Sequence, residues 1–212
     1  MALYLRRELE NDALLAIWEI TESEAELMDL CSLPNSEIEE LLIIRSEARR
    51  KEKLAVRALL NEIFDDKVYL GHHDNGRPFL QNSIVEISIS HTNRFVVILT
   101  HPELSVGVDI ESLSRDFSVV EKRALSAEEI EDLSEKNRNT HLAIYWCAKE
   151  AVYKRMSLSN VNFADQIFVK RFSPRDCGEL EISFYNPINE KESVFNAEYE
   201  LFENHVIVWL VE

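Results

Sequence analysis

The sequence predicts an α+β protein whose two halves each combine helix with antiparallel strands. Three observations favour this. The 212 residues suffice for one domain or two small ones. A long helical pattern occurs once in each half, at 36–64 and 140–156. Short segments of strand length accompany both helices. The best candidate for a subdomain boundary is the segment His101–Ser105, so the expected subdomains are residues 1–104 and 105–212.

The first half begins with two predicted strands, at 2–8 and 14–20, joined by a polar turn. A short acidic helix is expected at 21–29. Ser36–Glu39 fits a capping box, because a hydroxyl precedes a carboxylate by three residues. One continuous helix is predicted from this box to about Phe64, since Leu residues recur there at helical spacing.

The middle of the chain carries turn and strand signals. Gly71–Pro78 has the residue types of turns. Apolar and polar side chains alternate over Val85–Ser90, as they do in a half-buried strand. A turn at 91–94 leads into a strand at 95–100, and a further strand is predicted at 106–111.

The second half repeats this composition of helix and strand. Ser126–Glu129 fits another capping box, and residues 140–156 are rich in strong helix formers. The remaining segments read as strands, at about 166–172, 179–185, 193–202 and 205–211.

Composition excludes several functional classes. The formal net charge of −16 argues against binding to nucleic acid or anionic membranes, which both require positive surface. No apolar run approaches the ~18 to 20 residues of a membrane span. The N-terminus has charges where a signal peptide needs an apolar stretch, so we expect a cytoplasmic protein. The three cysteines are widely spaced and read as free thiols.

One basic cluster stands out against the acidic background. Residues 45–57 hold six cations and two acids, and Arg45 and Arg49 are its preferred anion-binding members. The cluster either binds an anion or forms a solvated helix face with internal ion pairs, such as Glu47 with Lys51.

Two carboxylates, Asp109 and Glu111, lie two residues apart in a predicted strand. This spacing puts both side chains on one face. They are either the polar face of an edge strand or ligands for a hard cation such as Mg²⁺, which prefers oxygen.

A second set of charges lies on the helix at 140–156. Trp146, Glu150 and Lys154 are neighbours at four-residue steps. Glu150 and Lys154 form either a surface ion pair, or a third carboxylate and a cation beside the Asp109–Glu111 pair. Two further candidates lie in turns: His91, at the mouth of a hairpin, and Arg77, either of which could serve only its turn.

Together and in this order, these elements resemble the 4′-phosphopantetheinyl transferases, in particular the two-subdomain type that activates surfactin synthetase. The resemblance spans roughly residues 40 to 156. It is carried by Gly76-Arg77-Pro78, Ile89-Ser90-His91-Thr92, Gly107-Val108-Asp109-Ile110-Glu111, Leu125-Ser126-Ala127-Glu128-Glu129, and Trp146 with Lys149, Glu150 and Lys154.

The resemblance implies a fold and a reaction. The fold is two similar α+β subdomains, each a helix packed on a small antiparallel sheet, related by a pseudo-twofold. The reaction is the transfer of phosphopantetheine from coenzyme A to a serine of an apo acyl or peptidyl carrier protein, which releases 3′,5′-ADP. A chain whose two halves build one site between them need not assemble further, so we expect a monomer.

It also implies roles for individual residues. Asp109, Glu111 and Glu150 hold Mg²⁺, with Mn²⁺ as the other candidate. Glu150 and Lys154 are catalytic, as base for the serine hydroxyl and as partner of the departing 3′,5′-ADP oxygen. Trp146 orients the helix, and Lys149 either contacts ligand or supports the fold. Coenzyme A is bound by Arg45, Arg49, Arg77, Ser90, His91 and Lys154.

The sequence departs from the family pattern at two places, since Thr92 replaces the usual serine and Ala124 stands where an aromatic residue is common. The candidates for carrier docking are the basic residues Arg115, Lys122 and Arg123, and exposed apolar side chains near Phe117 and Leu125. Whether the carrier serves fatty-acid, polyketide or peptide synthesis is open. Two other functions stay open: a non-catalytic module that binds coenzyme A or carrier protein, and a Mg²⁺-dependent hydrolase of the coenzyme A pyrophosphate.

Overall fold

A computed structural model describes residues 2–31, 33–158 and 160–212. The first half contains β1 (Leu3–Glu8), β2 (Leu14–Glu19), α1 (Glu24–Cys31), α2 (Asn35–Ile43), α3 (Glu47–Ile63), β3 (Leu70–His72), β4 (Pro78–Leu80), β5 (Glu86–His91) and β6 (Phe95–His101). The second half contains β7 (Val106–Ser112), α4 (Ser118–Ala124), α5 (Ala127–Asp132), α6 (Arg138–Met156), α7 (Phe163–Gln166), β8 (Ile167–Val169), β9 (Cys177–Asn186), β10 (Lys191–Phe202) and β11 (His205–Val211).

The sheets are antiparallel throughout, which confirms the predicted mixture of helices and antiparallel strands. In the first half the strand order is β1-β2-β6-β5, and in the second it is β7-β11-β10-β9-β8. β3 and β4 form a separate hairpin. The subdomain boundary at 104/105 lies between β6 and β7, and both this boundary and the pseudo-twofold remain predictions.

Each large sheet packs helices on one face and the other sheet on its opposite face. Leu59 of α3 shares a core with Trp18 and Val96 of the first sheet. The long helix α6 packs in the same way on the second sheet. A third core lies between the two sheets, with Val97 and Ile207 among its members. The halves are therefore joined by a shared apolar interface.

The single helix predicted for 36–64 is wrong, because the structure divides it into α2 and α3. The backbone N–H of Ile44 closes α2 on the carbonyl of Leu41. The hydroxyl of Ser46 then accepts the N–H of Arg49 and starts α3. A serine at this position offers the backbone an alternative to a continuous helix. The side chain of Ser36, which belongs to the predicted capping box, lies outside the described part of the structure.

The second half follows its prediction more closely. The capping box of Ser126 and Glu129 is present at the start of α5. The predicted strand at 166–172 is shorter, because α7 extends to Gln166 and β8 ends at Val169. None of the helices in the described ranges combines the length and apolarity that a membrane crossing requires.

Candidate functional site

The candidate site lies where α6 crosses β7. Along β7, Asp109 contacts α6, and Val108 joins the apolar interface between the sheets. Gly107 allows the close approach of the helix, since a Cβ there would lie only 2.1 Å from the backbone oxygen of Ala151. The glycine therefore brings the charged end of α6 against the carboxylates of β7.

Asp109 is the buried centre of the site, with 5% of its surface exposed. Its Oδ1 accepts hydrogen bonds from the Ser90 hydroxyl (2.7 Å) and from Lys154 Nζ (2.7 Å). Lys154 Nζ also donates to the carbonyl of Val108 at 3.1 Å. The buried Oδ2 atom of Asp109 accepts no N–H or O–H among the described residues, although the Cys147 thiol neighbours this carboxylate. A buried carboxylate oxygen without such a donor is costly, so this atom calls for a further ligand.

Glu111 is fixed on the same strand by two donors. Its Oε1 accepts the indole N–H of Trp146 at 2.8 Å and a hydrogen bond from the guanidinium of Arg115. The guanidinium lies 4.9 Å from the ring centroid of Phe117 and 5.7 Å from that of Trp146. Burial, together with the nearby charge of Asp109, raises the pKa of Glu111. Trp146 therefore orients a candidate ligand as well as its own helix.

Glu150 completes the acidic group from α6. Burial and then the charge of Asp109 raise the pKa of Glu150 to about 7. Within the described ranges, its carboxylate makes no hydrogen bond. It lines a groove of about 590 Å³ together with Arg115, Arg123 and Tyr153. Glu150 is thus a carboxyl group that changes charge near neutrality and faces an open groove.

The residues present fit a hard divalent cation. Among the described residues, no three His, Cys, Asp or Glu side chains converge as a ready-made metal-binding group. In this structure Lys154 pairs with Asp109, and Arg115 pairs with Glu111. Two observations nevertheless favour a cation: the Oδ2 atom of Asp109 accepts no N–H or O–H, and the pKa values of Glu111 and Glu150 are raised, first by burial and then by neighbouring acidic charges.

The residues predicted to bind coenzyme A do not all lie in one place, because some line either of two cavities and others are at the surface or buried. Arg49 and His91 line a groove of about 720 Å³ that reaches Glu111. Arg77 lines a cleft of about 180 Å³ with Lys154, and it forms an ion pair with Glu86. Ser90 is buried against Asp109, as described above.

Arg45 is exposed in the segment between α2 and α3. Its side chain makes no hydrogen bond or ion pair with the other candidates among the described residues. The structure thus brings Arg49, but not Arg45, to the acidic group.

Part of the basic cluster has a structural role. Arg50 pairs with Glu24 of α1 at 2.7 Å, and Arg57 pairs with Glu37 of α2 at 2.6 Å. The alternative pair of Glu47 with Lys51 is not formed in the part of the chain that the structure describes. Both arginines fasten α3 to neighbouring helices, which leaves Arg49 and Lys53 facing the grooves.

The structure resolves the ambiguity of Lys149. Its side chain is fully buried, and Nζ donates to Glu129 Oε2 at 2.7 Å and to the carbonyl of Phe163 at 3.0 Å. Burial lowers the pKa of Lys149. Glu129 also accepts the N–H of Val169 at 2.8 Å. Lys149 therefore ties α6 to α5 and to the segment before β8, and it supports the fold.

The expectation of exposed apolar side chains near Phe117 and Leu125 is wrong at those two residues. Phe117 is fully buried and Leu125 is 3% exposed, because both turn into the core beneath α6. The exposed apolar residue of this region is Val119, at 62%. It lines the same groove as Glu150.

Comparison with models of protein families finds a match. The model of the 4′-phosphopantetheinyl transferase superfamily matches residues 105–209. This range contains Asp109, Glu111, Glu150 and Lys154, and the match supports a transferase. A search of curated proteins found no similar sequence.

Proposed function

We propose that the protein transfers the 4′-phosphopantetheine group of coenzyme A to a serine hydroxyl of an apo carrier protein. The observation that carries this proposal is the acidic group around Asp109, with its buried oxygen that accepts no N–H or O–H, inside the range that resembles the superfamily. The two-subdomain surfactin-synthetase-activating type is the finer assignment that we favour, because Arg77, Ser90 and His91 lie in the half outside the matched range.

The chemistry is a displacement at phosphorus. The serine oxygen forms a bond to the phosphorus that carries pantetheine, and the bond from that phosphorus to 3′,5′-ADP breaks. The hydroxyl proton passes to Glu150, directly or through a water. Glu150 is available for this role, because its carboxylate makes no hydrogen bond among the described residues and lines the groove.

Asp109, Glu111 and Glu150 would hold the divalent cation. When bound, Mg²⁺ or Mn²⁺ supplies positive charge that neutralises the pyrophosphate oxygens. Lys154 lies beside Asp109 and donates the stabilising hydrogen bond to the oxygen of the departing 3′,5′-ADP. Arg49, His91 and Arg77 bind coenzyme A phosphates, and Ser90 donates to Asp109 Oδ1.

The acceptor must approach an acidic molecule. Carrier proteins of the family are acidic, and this chain has a net charge of −16, so attraction at long range is weak. The groove that Glu150 lines is less acidic than the chain as a whole, because Arg115 and Arg123 balance Asp116 and Glu150 there, beside the exposed Val119. We therefore assign docking of the carrier protein to this groove. We further propose that the enzyme is monomeric and cytoplasmic.

Intact-mass spectrometry tests the proposal. The purified protein is mixed with coenzyme A, Mg²⁺ and an apo acyl carrier protein, with EDTA as a parallel sample. We expect the carrier to gain one phosphopantetheine, and EDTA to prevent the gain. Coenzyme A that is consumed without a carrier product contradicts the proposal and indicates a hydrolase. Binding of coenzyme A without transfer to any of several carriers indicates a binding module.

A further inference from the structure

Glu52 is an unusual acid within the basic part of α3. Only 9% of its surface is exposed, and it lines both the Arg49–His91 groove and the neighbouring cavity of about 280 Å³. Among the described residues its one ion-pair partner is His91, whose Nδ1 lies 3.4 Å from Glu52 Oε2. The proposed function assigns no role to this carboxylate.

The position of Glu52 needs a physical reason. A buried carboxylate is costly unless it is paired. In a groove that receives phosphates, its negative charge also opposes the ligand. Both disadvantages are offset if the carboxylate acts through His91. An imidazole whose Nδ1 is held by a carboxylate is fixed in orientation, and its Nε2 is left for a ligand.

We propose that Glu52 is a positioning residue for His91. Its carboxylate holds Nδ1 of the ring, and it thereby fixes the orientation in which Nε2 donates to a phosphate of coenzyme A. This inference rests on the proposed function, because it requires His91 to contact coenzyme A. We expect the 3.4 Å separation to shorten when the ligand is bound, since hydrogen bonds at empty sites are often long.

Two interpretations of Glu52 predict opposite effects of Glu52→Gln on the affinity for coenzyme A. If the carboxylate acts only through its charge, Glu52→Gln removes repulsion and coenzyme A binds more tightly. If it positions His91, the same substitution weakens binding. The weakening must then depend on the presence of the ring, which a double-mutant cycle measures.

The experiment is calorimetric titration of coenzyme A, in the presence of Mg²⁺, into four proteins: wild type, Glu52→Gln, His91→Ala and the double variant. We expect each single variant to raise the dissociation constant about five- to tenfold. In the His91→Ala background, Glu52→Gln should raise the dissociation constant by less than about twofold. Glu62→Gln is the matched control, since it removes the same charge at an exposed position of α3, and it should bind as wild type does.

Thermal unfolding of every variant shows whether the fold is kept. If Glu52→Gln does not fold, Glu52→Asp replaces it, because it keeps the charge and withdraws the carboxylate from the ring. We expect it to weaken binding about threefold, and again only when His91 is present.

Tighter binding, unchanged binding, or the same loss in both backgrounds would overturn the positioning role. If His91→Ala weakens binding while Glu52→Gln does not, the inference fails and the proposed function stands. If the wild type binds no coenzyme A, both fail.

Discussion

Gly107→Ala is expected to damage the site through the backbone, without removing any polar group. The added Cβ would lie 2.1 Å from the carbonyl oxygen of Ala151, and ordinary contacts begin near 3.4 Å, so α6 must withdraw by more than about 1 Å. Lys154 and Glu150 move with the helix, and the 2.7 Å bond from Lys154 to Asp109 is lost. A misplacement of about 1 Å costs roughly 100-fold in rate.

The assay is the rate of carrier modification by intact mass, measured beside thermal unfolding. Overpacking of this kind costs about 1–3 kcal/mol, which lowers the melting temperature by about 2 to 12 °C in a chain of this size. The control is Gly178→Ala in β9, three strands away from β7 in the sheet, where the new Cβ meets the buried ring of Tyr199 and so overpacks the core at a distance from the acids. A Gly107→Ala enzyme with native turnover would refute the claim that helix approach sets the site geometry.

Further predictions concern single side chains. Glu150→Gln should lower the transfer rate about 10²- to 10⁴-fold while the protein still unfolds cooperatively, because it removes the base and a ligand charge; near-native turnover excludes that role. Arg49→Ala should raise the KM for coenzyme A several-fold at unchanged kcat, measured by steady-state kinetics. Lys149→Met should cost about 3–5 kcal/mol in urea unfolding, because Glu129 stays buried without its partner; a loss below about 1 kcal/mol contradicts the anchoring role. Burial lowers the pKa of His141 below 6.5, so the unfolded chain binds more protons and stability should fall as the pH drops below 6.5; His141→Gln should flatten this dependence in urea titrations.

Much of the fold could be predicted from local patterns. Alternation over Val85–Ser90 predicts β5, and the helix formers at 140–156 predict α6, which begins two residues earlier. These patterns succeed because one buried face fixes the period of a strand or helix. The break at Ser46 could not be seen, since the choice between a cap and a continuous helix depends on how α2 and α3 pack.

Prediction of the candidate site meets the same limit of local patterns. The order of the motifs predicts that Asp109, Glu111, Glu150 and Lys154 lie close together. In the structure all four lie where α6 meets β7. Local patterns could not separate the cations by role, because their partners are distant in sequence. Arg50 pairs with Glu24, which is 26 residues away in the sequence, and Lys149 pairs with Glu129, which is 20 residues away. A buried lysine and a solvated one look alike until the fold is known.

The matched half of the chain does not complete the site by itself. Asp109 lies in the matched range, but the hydroxyl on its Oδ1 belongs to Ser90 of β5. The N–H of Val108 likewise donates to the Ser88 hydroxyl at 3.0 Å, so two serines of one strand satisfy polar groups along the edge of β7. The apolar face of β7 and β11 is covered by the first sheet, and residues 105–209 alone would expose it. The acids that carry the proposed chemistry therefore depend on the first half twice, for the hydrogen bond that orients Asp109 and for the core that holds its strand.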